Sequence, residues 1–547
     1  MVFRTSYHRL AAVLAVLGVA ACATPRADWP LDRQASAERM RADVETLASD
    51  AFGGREAGTP GFQKAAAYVE AAFRQMGLTP GGTRGYRQPV PLRRAMADPQ
   101  GAAMAIIKDG TPQPLGLMDD FAMLAGRIAE EVTVTAPMVF VGHGIDAPSL
   151  GYTAYQDHDV SGKIVALLPG VPPGLPSEER AHFSNPETKR ATAARHGAVG
   201  IIGLSSVRGT TESGRAALAR SVALADDIVA YKDGRKAVID ASALMTSAGT
   251  DKLLAAAGVD PDAVFAAKPA LGPLGVTLSM TAKTSYTDYK SPNIIGMIEG
   301  SDPVLKDEYV VLTAHLDHIG RLTSVQRGVD VINNGAMDNA TGTATLLEEA
   351  RRFVGAEERP KRSILFLALT AEEKGLLGSE YFVHHPTVPR EAMVANVNLD
   401  MPIALFDFVD VIAFGAQHSS LKETTATAAA KLDVALSPDP VPEQALFVRS
   451  DHYNFVKKGI PSVFLFFGFG NGGDDVFSDF MVTHYHRPSD EIGLPIRYDV
   501  AAKFAELNYL IASEIANAPD RPRWNEDSLF GTLFAPLAEE GAPSPGM

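Results

Sequence analysis

The chain has 547 residues, 46% of them hydrophobic and 21% charged, with a formal net charge of −15. That length exceeds what one hydrophobic core serves, so at least two domains are expected, and the acidic balance argues against a nucleic-acid partner. The only cysteine is Cys22, which excludes an intramolecular disulfide and a thiolate zinc site.

The first 21 residues read as a signal peptide. Arg4, His8 and Arg9 give a basic start, and the apolar run 10–21 is too short to span a membrane. Val19-Ala-Ala-Cys22 resembles a bacterial lipobox; the competing reading is an ordinary secretory cut at the small residues. A single cysteine retained at this position favours the lipoprotein, exported and anchored at Cys22 on the periplasmic face or outer membrane of a bacterium. Residues 22–34, with Pro25 and Pro30, read as a linker.

Helices are predicted over 35–47 and 62–76, flanking a Gly-rich loop, and the second stops at Gly77. Residues 84–125 read as strands with turns. The middle changes character, with a β-rich stretch at 132–144, buried strands at 162–168 and 197–204, and short helices at 189–196 and 251–257. The sequence therefore divides into a first part at 35–129, an inserted β-rich domain at 130–270, a second part at 271–518 and a tail at 519–547. From Tyr289 onward strands (309–313, 363–369, 393–399, 460–466) alternate with helices (340–354, 373–383, 418–432, 499–516). Continuous apolar strands alternating with helices predict an α/β fold with a mainly parallel sheet covered on both faces.

In such sheets ligands bind beyond the carboxyl ends of the strands. His315 and Asp317 follow the strand 309–313, Glu372 and Glu373 follow 363–369, and Asp400 follows 393–399. Asp338 lies in a Gly/Asn-rich turn before a helix. Alone it reads as a helix cap; with these neighbours it reads as a carboxylate able to bridge two cations. His315, Asp338, Glu373, Asp400 and His486 are the metal candidates, with Glu372 a spare carboxylate. The spacing His315-Leu-Asp317 lets the Asp317 carboxylate orient the imidazole. His484 competes with His486, and Asp451 and His452 form a further polar pair.

Thr313-Ala-His-Leu-Asp-His-Ile-Gly320, Asn334-Gly-Ala-Met-Asp-Asn-Ala-Thr-Gly342, Ala371-Glu-Glu-Lys-Gly-Leu-Leu-Gly-Ser379, Asn396-Val-Asn-Leu-Asp400, Ser450-Asp-His452 and Tyr485-His-Arg-Pro-Ser-Asp490 together resemble the co-catalytic zinc exopeptidases of clan MH. The resemblance covers residues 40–515. It implies two zinc ions per chain: Asp338 bridging, His315 and Asp400 completing one site, Glu373 and His486 the other. It further implies Glu372 as general acid/base on a zinc-bound water, Asp317 in support of His315, and a cis peptide after Asp338. Gly142-His-Gly-Ile145 and Asp159-Val-Ser-Gly-Lys-Ile-Val165 resemble the protease-associated (PA) domain inserted in this family. Met337 before the bridging aspartate and the extra His484 are departures.

The leading expectation is an aminopeptidase acting on peptides, bound to the membrane only through its lipid. A carboxypeptidase or a glutaminyl cyclase on the same fold, and a non-catalytic binding protein, are the alternatives. The complete ligand set with Glu372 argues against the cyclase, which works with one zinc, and against the binding protein. The loop 468–477 is expected to line the substrate pocket.

Overall fold

The computed structural model describes residues 32–205, 239–322 and 328–535, and the backbone of 228–231. The signal peptide and Cys22 lie outside the described residues. Strands Tyr309–His315, Ser363–Leu369 and Met393–Leu399 are buried at nearly every position. That is why they read as unbroken apolar runs: both faces of the sheet are covered. Strand Tyr309–His315 pairs in parallel with Ser363–Leu369 on one side and Met393–Leu399 on the other, and Ser462–Phe467 adds a fourth parallel strand. The antiparallel neighbours Asp410–Phe414 and the end of Gly272–Ile298 flank this group.

Helices Arg33–Leu47, Thr341–Gly355 and Tyr498–Asn517 pack together over one face. Helices Leu377–His384 and His452–Val456 cover the other. The fold class is therefore the α/β arrangement with a mainly parallel sheet that the periodicity predicts.

A second sheet forms in the middle of the chain. Glu131–Phe140, Ile164–Leu167, Gly200–Gly203 and Ala241–Met245 run parallel in it. Ala103–Lys108, Thr111–Pro114 and Phe121–Met123 are hydrogen-bonded into the same sheet. The sheet thus draws in residues well before the sequence boundary at 130. Short strands joined by turns carry no signal of which sheet they enter. One strand, Gly272–Ile298, belongs to both: its first half pairs with Glu131–Phe140, its second with Arg87–Ala97 and Ser363–Leu369. The insert also docks through helix Ser177–Ser184. There Glu178 accepts the Gly415 amide at 2.8 Å and pairs with His418, and His182 Nδ1 lies 2.6 Å from the Tyr453 hydroxyl.

Two boundaries differ instructively. The helix predicted over 373–383 begins only at Leu377, because Ala371 and Leu376 take positive φ and leave Glu372 and Glu373 in a turn. The strand predicted over 309–313 continues to His315.

The Gly-rich N-terminal loop turns inward at Arg55, a fully buried guanidinium. It donates to the carbonyls of Leu316, Leu47, Asn334 and Gly335 at 2.6–3.0 Å. Burial pulls its pKa down to about 10, against the attraction of Asp490, Asp338, Asp317 and Glu373. Gly54 is obligatory beside it. Its φ is +73°, and a Cβ there would stand 2.5 and 2.6 Å from the carbonyl oxygens of Gly320 and Asn333. Arg55→Met, similar in length but without donors, leaves these carbonyls unpaired. It should lower the unfolding free energy by on the order of 3 kcal/mol, read by urea titration with circular dichroism. An unchanged midpoint would refute the tethering role.

Candidate active site

The carboxyl ends of the parallel strands place the candidate ligands around one cavity. His315 is the last residue of its strand. Asp400 follows Met393–Leu399. Glu372 and Glu373 sit in the turn after Ser363–Leu369. Asp338 comes from the turn Ala336–Ala340, whose Asp338–Asn339 peptide is cis, as the family resemblance implied. His315 Nε2 lies 3.0 Å from Asp400 Oδ1 and 3.3 Å from Asp338 Oδ1. His486 Nε2 lies 3.2 Å from both Asp338 Oδ2 and Glu373 Oε2. Asp338 thus faces one histidine with each oxygen. All five metal candidates and Glu372 come together. His484 does not; its Nδ1 is 3.0 Å from the Ser489 hydroxyl.

Asp317 acts differently from the sequence expectation. The His315 Nδ1 meets the main-chain carbonyl of Asp317 at 3.1 Å. The Asp317 carboxylate instead accepts the amides of Glu372 and Glu373 at 3.1 and 3.4 Å. It therefore shapes the turn that presents both glutamates. The His-X-Asp spacing shows proximity but cannot tell which oxygen of Asp317 faces the ring.

Three supporting residues escaped the sequence reading, although each lies in or beside a quoted motif. Asp490 accepts the amides of Met337 and Asp338 at 2.9 and 3.1 Å, clamping the turn that carries Asp338. Asn339 donates to the Leu399 carbonyl at 3.0 Å and accepts the Met401 amide at 3.1 Å, joining that turn to the Asp400 strand end. His318, fully buried, sets Nδ1 2.6 Å from Glu373 Oε1 and 3.7 Å from Asp338 Oδ2. The only available signal for His318 was its place three residues after His315. Of the polar pair, Asp451 accepts a bond from Ser379, whereas the His452 ring packs against Phe447 and Phe464.

The electrostatics follow from crowding. Burial disfavours the charged form of His315, yet Asp400, Glu372 and Asp338 outweigh it and hold the ring well above its usual pKa. The same contest raises His486 to about 10, with Glu373 and Asp338 prevailing over burial. Burial also favours neutral carboxyls, but His318, His315 and His486 keep Asp338 well below the usual range. Glu372 goes the other way: burial, reinforced by Asp400, Glu373 and Asp451, pushes it well above. Burial raises Asp451 to about 7 and Asp490 to about 6. Carboxylates outnumber imidazoles here, and a bound cation would relieve the imbalance.

The donor set fits such a cation. Zinc ligands at 2.0–2.2 Å in tetrahedral array stand roughly 3.3–3.6 Å apart, close to the spacings around Asp338. One ligand atom each from His315, Glu372 and Asp400 lies within 4.8 Å of the others, and the same holds for His315, Asp338 and Glu373. The His486 Nε2 is buried without a hydrogen-bond partner among the described residues, as an atom aimed at a cation would be. Imidazole and carboxylate suit zinc and other divalent metals.

The cavity, of about 460 Å³, is walled on its far side by Met401, Leu446, Phe464, Phe466, Phe477 and Met481, with Arg449, Ser450 and Tyr485 alongside. Of the loop 468–477, only Phe477 lines it; Gly468 and Gly470 instead pack on Asp410. The Tyr485 ring stacks on His486 at 3.8 Å, and its hydroxyl accepts from Arg449 at 3.0 Å.

A mainly parallel sheet that gathers histidines and carboxylates beyond its carboxyl edge defines the class: an α/β protein with a candidate cation site of imidazoles and carboxylates. Residues 293–512, the stretch that holds every candidate ligand, match the model of peptidase family M28. Aminopeptidase YwaD of Bacillus subtilis (strain 168) is 29% identical over 215 residues, 38% of this chain and 41% of that protein. Carboxypeptidase Q of Pongo abelii is 26% identical over 240 residues, 43% and 44% of the two chains. The chain thus spans less than half the length of these curated relatives. Among solved structures, an aminopeptidase from Aneurinibacillus sp. strain AM-1 is 20% identical with a TM-score of 0.49, covering 89% of this chain and 98% of that one.

Two outcomes are expected. His486→Ala should lose zinc by equilibrium dialysis with elemental analysis, while His484→Ala should keep the wild-type content; the reverse pattern would overturn the ligand choice. Asp490→Asn, which sets an amide N–H2 against a main-chain N–H, should weaken zinc retention by roughly 10–100-fold in a chelator competition. Wild-type retention would show that the Asp338 turn holds without it.

Proposed function

We propose that this chain is a zinc-dependent exopeptidase, an aminopeptidase that removes N-terminal residues from peptides. The observation that carries the reading is the convergence of His315, Asp338, Glu373, Asp400 and His486 about Asp338, with Glu372 beside them on the cavity wall. The match of residues 293–512 to peptidase family M28, and an aminopeptidase among the similar proteins, support it. Two zinc ions per chain are proposed; His315 and Asp400 would hold one, Glu373 and His486 the other, and Asp338 would serve both. When bound, such a pair supplies Lewis acidity and lowers the pKa of water towards ~7.

The chain's own residues do the rest. Glu372, placed by the amide it gives to Asp317, takes the proton of the attacking water and returns it to the leaving amine. The hydroxyl of Tyr485 faces the same space. The wall of Phe464, Phe466, Phe477 and Met481 excludes water and favours an apolar side chain on the residue removed.

The insert is read as a PA domain; its separate sheet supports this. Export and a lipid anchor at Cys22 complete the proposal. No helix among the described residues is long and apolar enough to cross a membrane. The direct assay is a panel of aminoacyl chromogenic substrates and N-blocked peptides, with and without zinc. Turnover of the N-blocked peptides alone would exclude an aminopeptidase. Glu372→Gln should keep wild-type zinc content and lose at least about 100-fold in kcat; wild-type turnover in that variant would sink the general-base assignment.

A further inference from the structure

Arg449 stands apart from the rest of the cavity. Its neighbours on the wall are apolar side chains and the carboxylate-rich metal candidates, and it is the one arginine or lysine among the described residues lining the space. Its contacts are weak anchors for a guanidinium. Nη1 gives 3.4 Å to the Gln444 carbonyl, Nη2 gives 3.0 Å to the Tyr485 hydroxyl, and the Tyr485 ring lies 5.9 Å from the guanidinium carbon. No carboxylate pairs with it among the described residues. The side chain is exposed at the cavity rim, so most of its donors remain open to a ligand.

Tyr485 links this rim to the candidate metal end, since the ring that touches Arg449 also stacks on His486. Glu372 and Arg449 line the same cavity, so a short substrate with its scissile bond at Glu372 reaches Arg449.

Resting on the exopeptidase reading, we propose that Arg449 is a specificity-determining residue that receives the free carboxylate of a short peptide, so that di- and tripeptides are preferred over the same peptides with a blocked C-terminus. The charge pattern supports a carboxylate as the ligand. The surrounding Asp and Glu side chains repel an anionic group, and a fork of guanidinium donors is the local feature that overcomes this. The Tyr485 hydroxyl, taking one Nη2 donor, steadies the fork.

The test uses the zinc-loaded full chain and three probes: Phe-Ala, Phe-Ala amide and Leu-4-nitroanilide. Wild type should show kcat/KM for Phe-Ala at least about tenfold above the amide, and the ratio should shrink as salt rises. Arg449→Gln should bring the ratio to about one through a higher KM for Phe-Ala. Arg449→Lys, which keeps the charge but not the fork, should retain part of the preference and guards against a folding defect in the glutamine variant. Turnover by wild type with no preference for the free acid would overturn the inference alone. An equal loss on all three probes in Arg449→Gln would also overturn it, and would make Arg449 a support for Tyr485. No turnover of any probe by wild type would sink the exopeptidase reading and the inference with it.

Discussion

Like charges buried together repel one another, and this constraint governs the structure. Asp317, Asp338, Glu372, Glu373, Asp400, Asp451 and Asp490 share one region at the sheet's carboxyl edge. Each carboxylate alone would prefer water. They stay because main-chain amides are directed to Asp317 and Asp490, and because His315, His318 and His486 interleave with the candidate ligands. Arg55 adds a buried positive charge behind the cluster. The apolar sheet beneath, buried at nearly every strand position, holds the frame rigid enough for the arrangement to persist.

Support is layered beneath that edge. Thr313, Asn396, Asn398 and Ser450 form a buried hydrogen-bonded row across two strands and the segment before helix His452–Val456. Ser450 reaches the cavity wall at one end of it. A polar row within an apolar sheet fixes the relative height of neighbouring strands, since a slip would leave buried donors and acceptors unpaired. The same strands carry His315 and Asp400, so their register is also the register of the site.

Much of this was legible in the sequence. The strands 363–369 and 393–399 coincide with the observed ones because unbroken apolar runs mark strands covered on both faces. The ligand candidates were legible because they follow those runs directly. What was not legible lies in contacts between side chains and distant main chain. Nothing in the pattern around Asp490 reveals that it clamps residues 337 and 338, and nothing around Arg55 reveals four carbonyls drawn from three separate segments. Asp317 was found but given the wrong partner, since spacing reports that two groups are near and not which atom turns towards which. The delayed start of helix Leu377–His384 has the same origin: Asp317 holds the amides of Glu372 and Glu373 in a turn, overriding helix propensity. The start of the second sheet was missed because its early strands are short and find their partners far along the chain.

The strand Gly272–Ile298 has a mechanical meaning. Its first half is an inner strand of the insert's sheet, and its second half is hydrogen-bonded to the strand that ends at Leu369, just before the two glutamates. Two domains joined by a loop can swing on that loop. Two sheets threaded on a single extended segment behave as parts of one beam, further pinned where Glu178 and His182 meet the catalytic side. A push on the insert is therefore carried along backbone hydrogen bonds to within a turn of Glu372, and the insert is a fixed abutment of the cleft rather than a free flap.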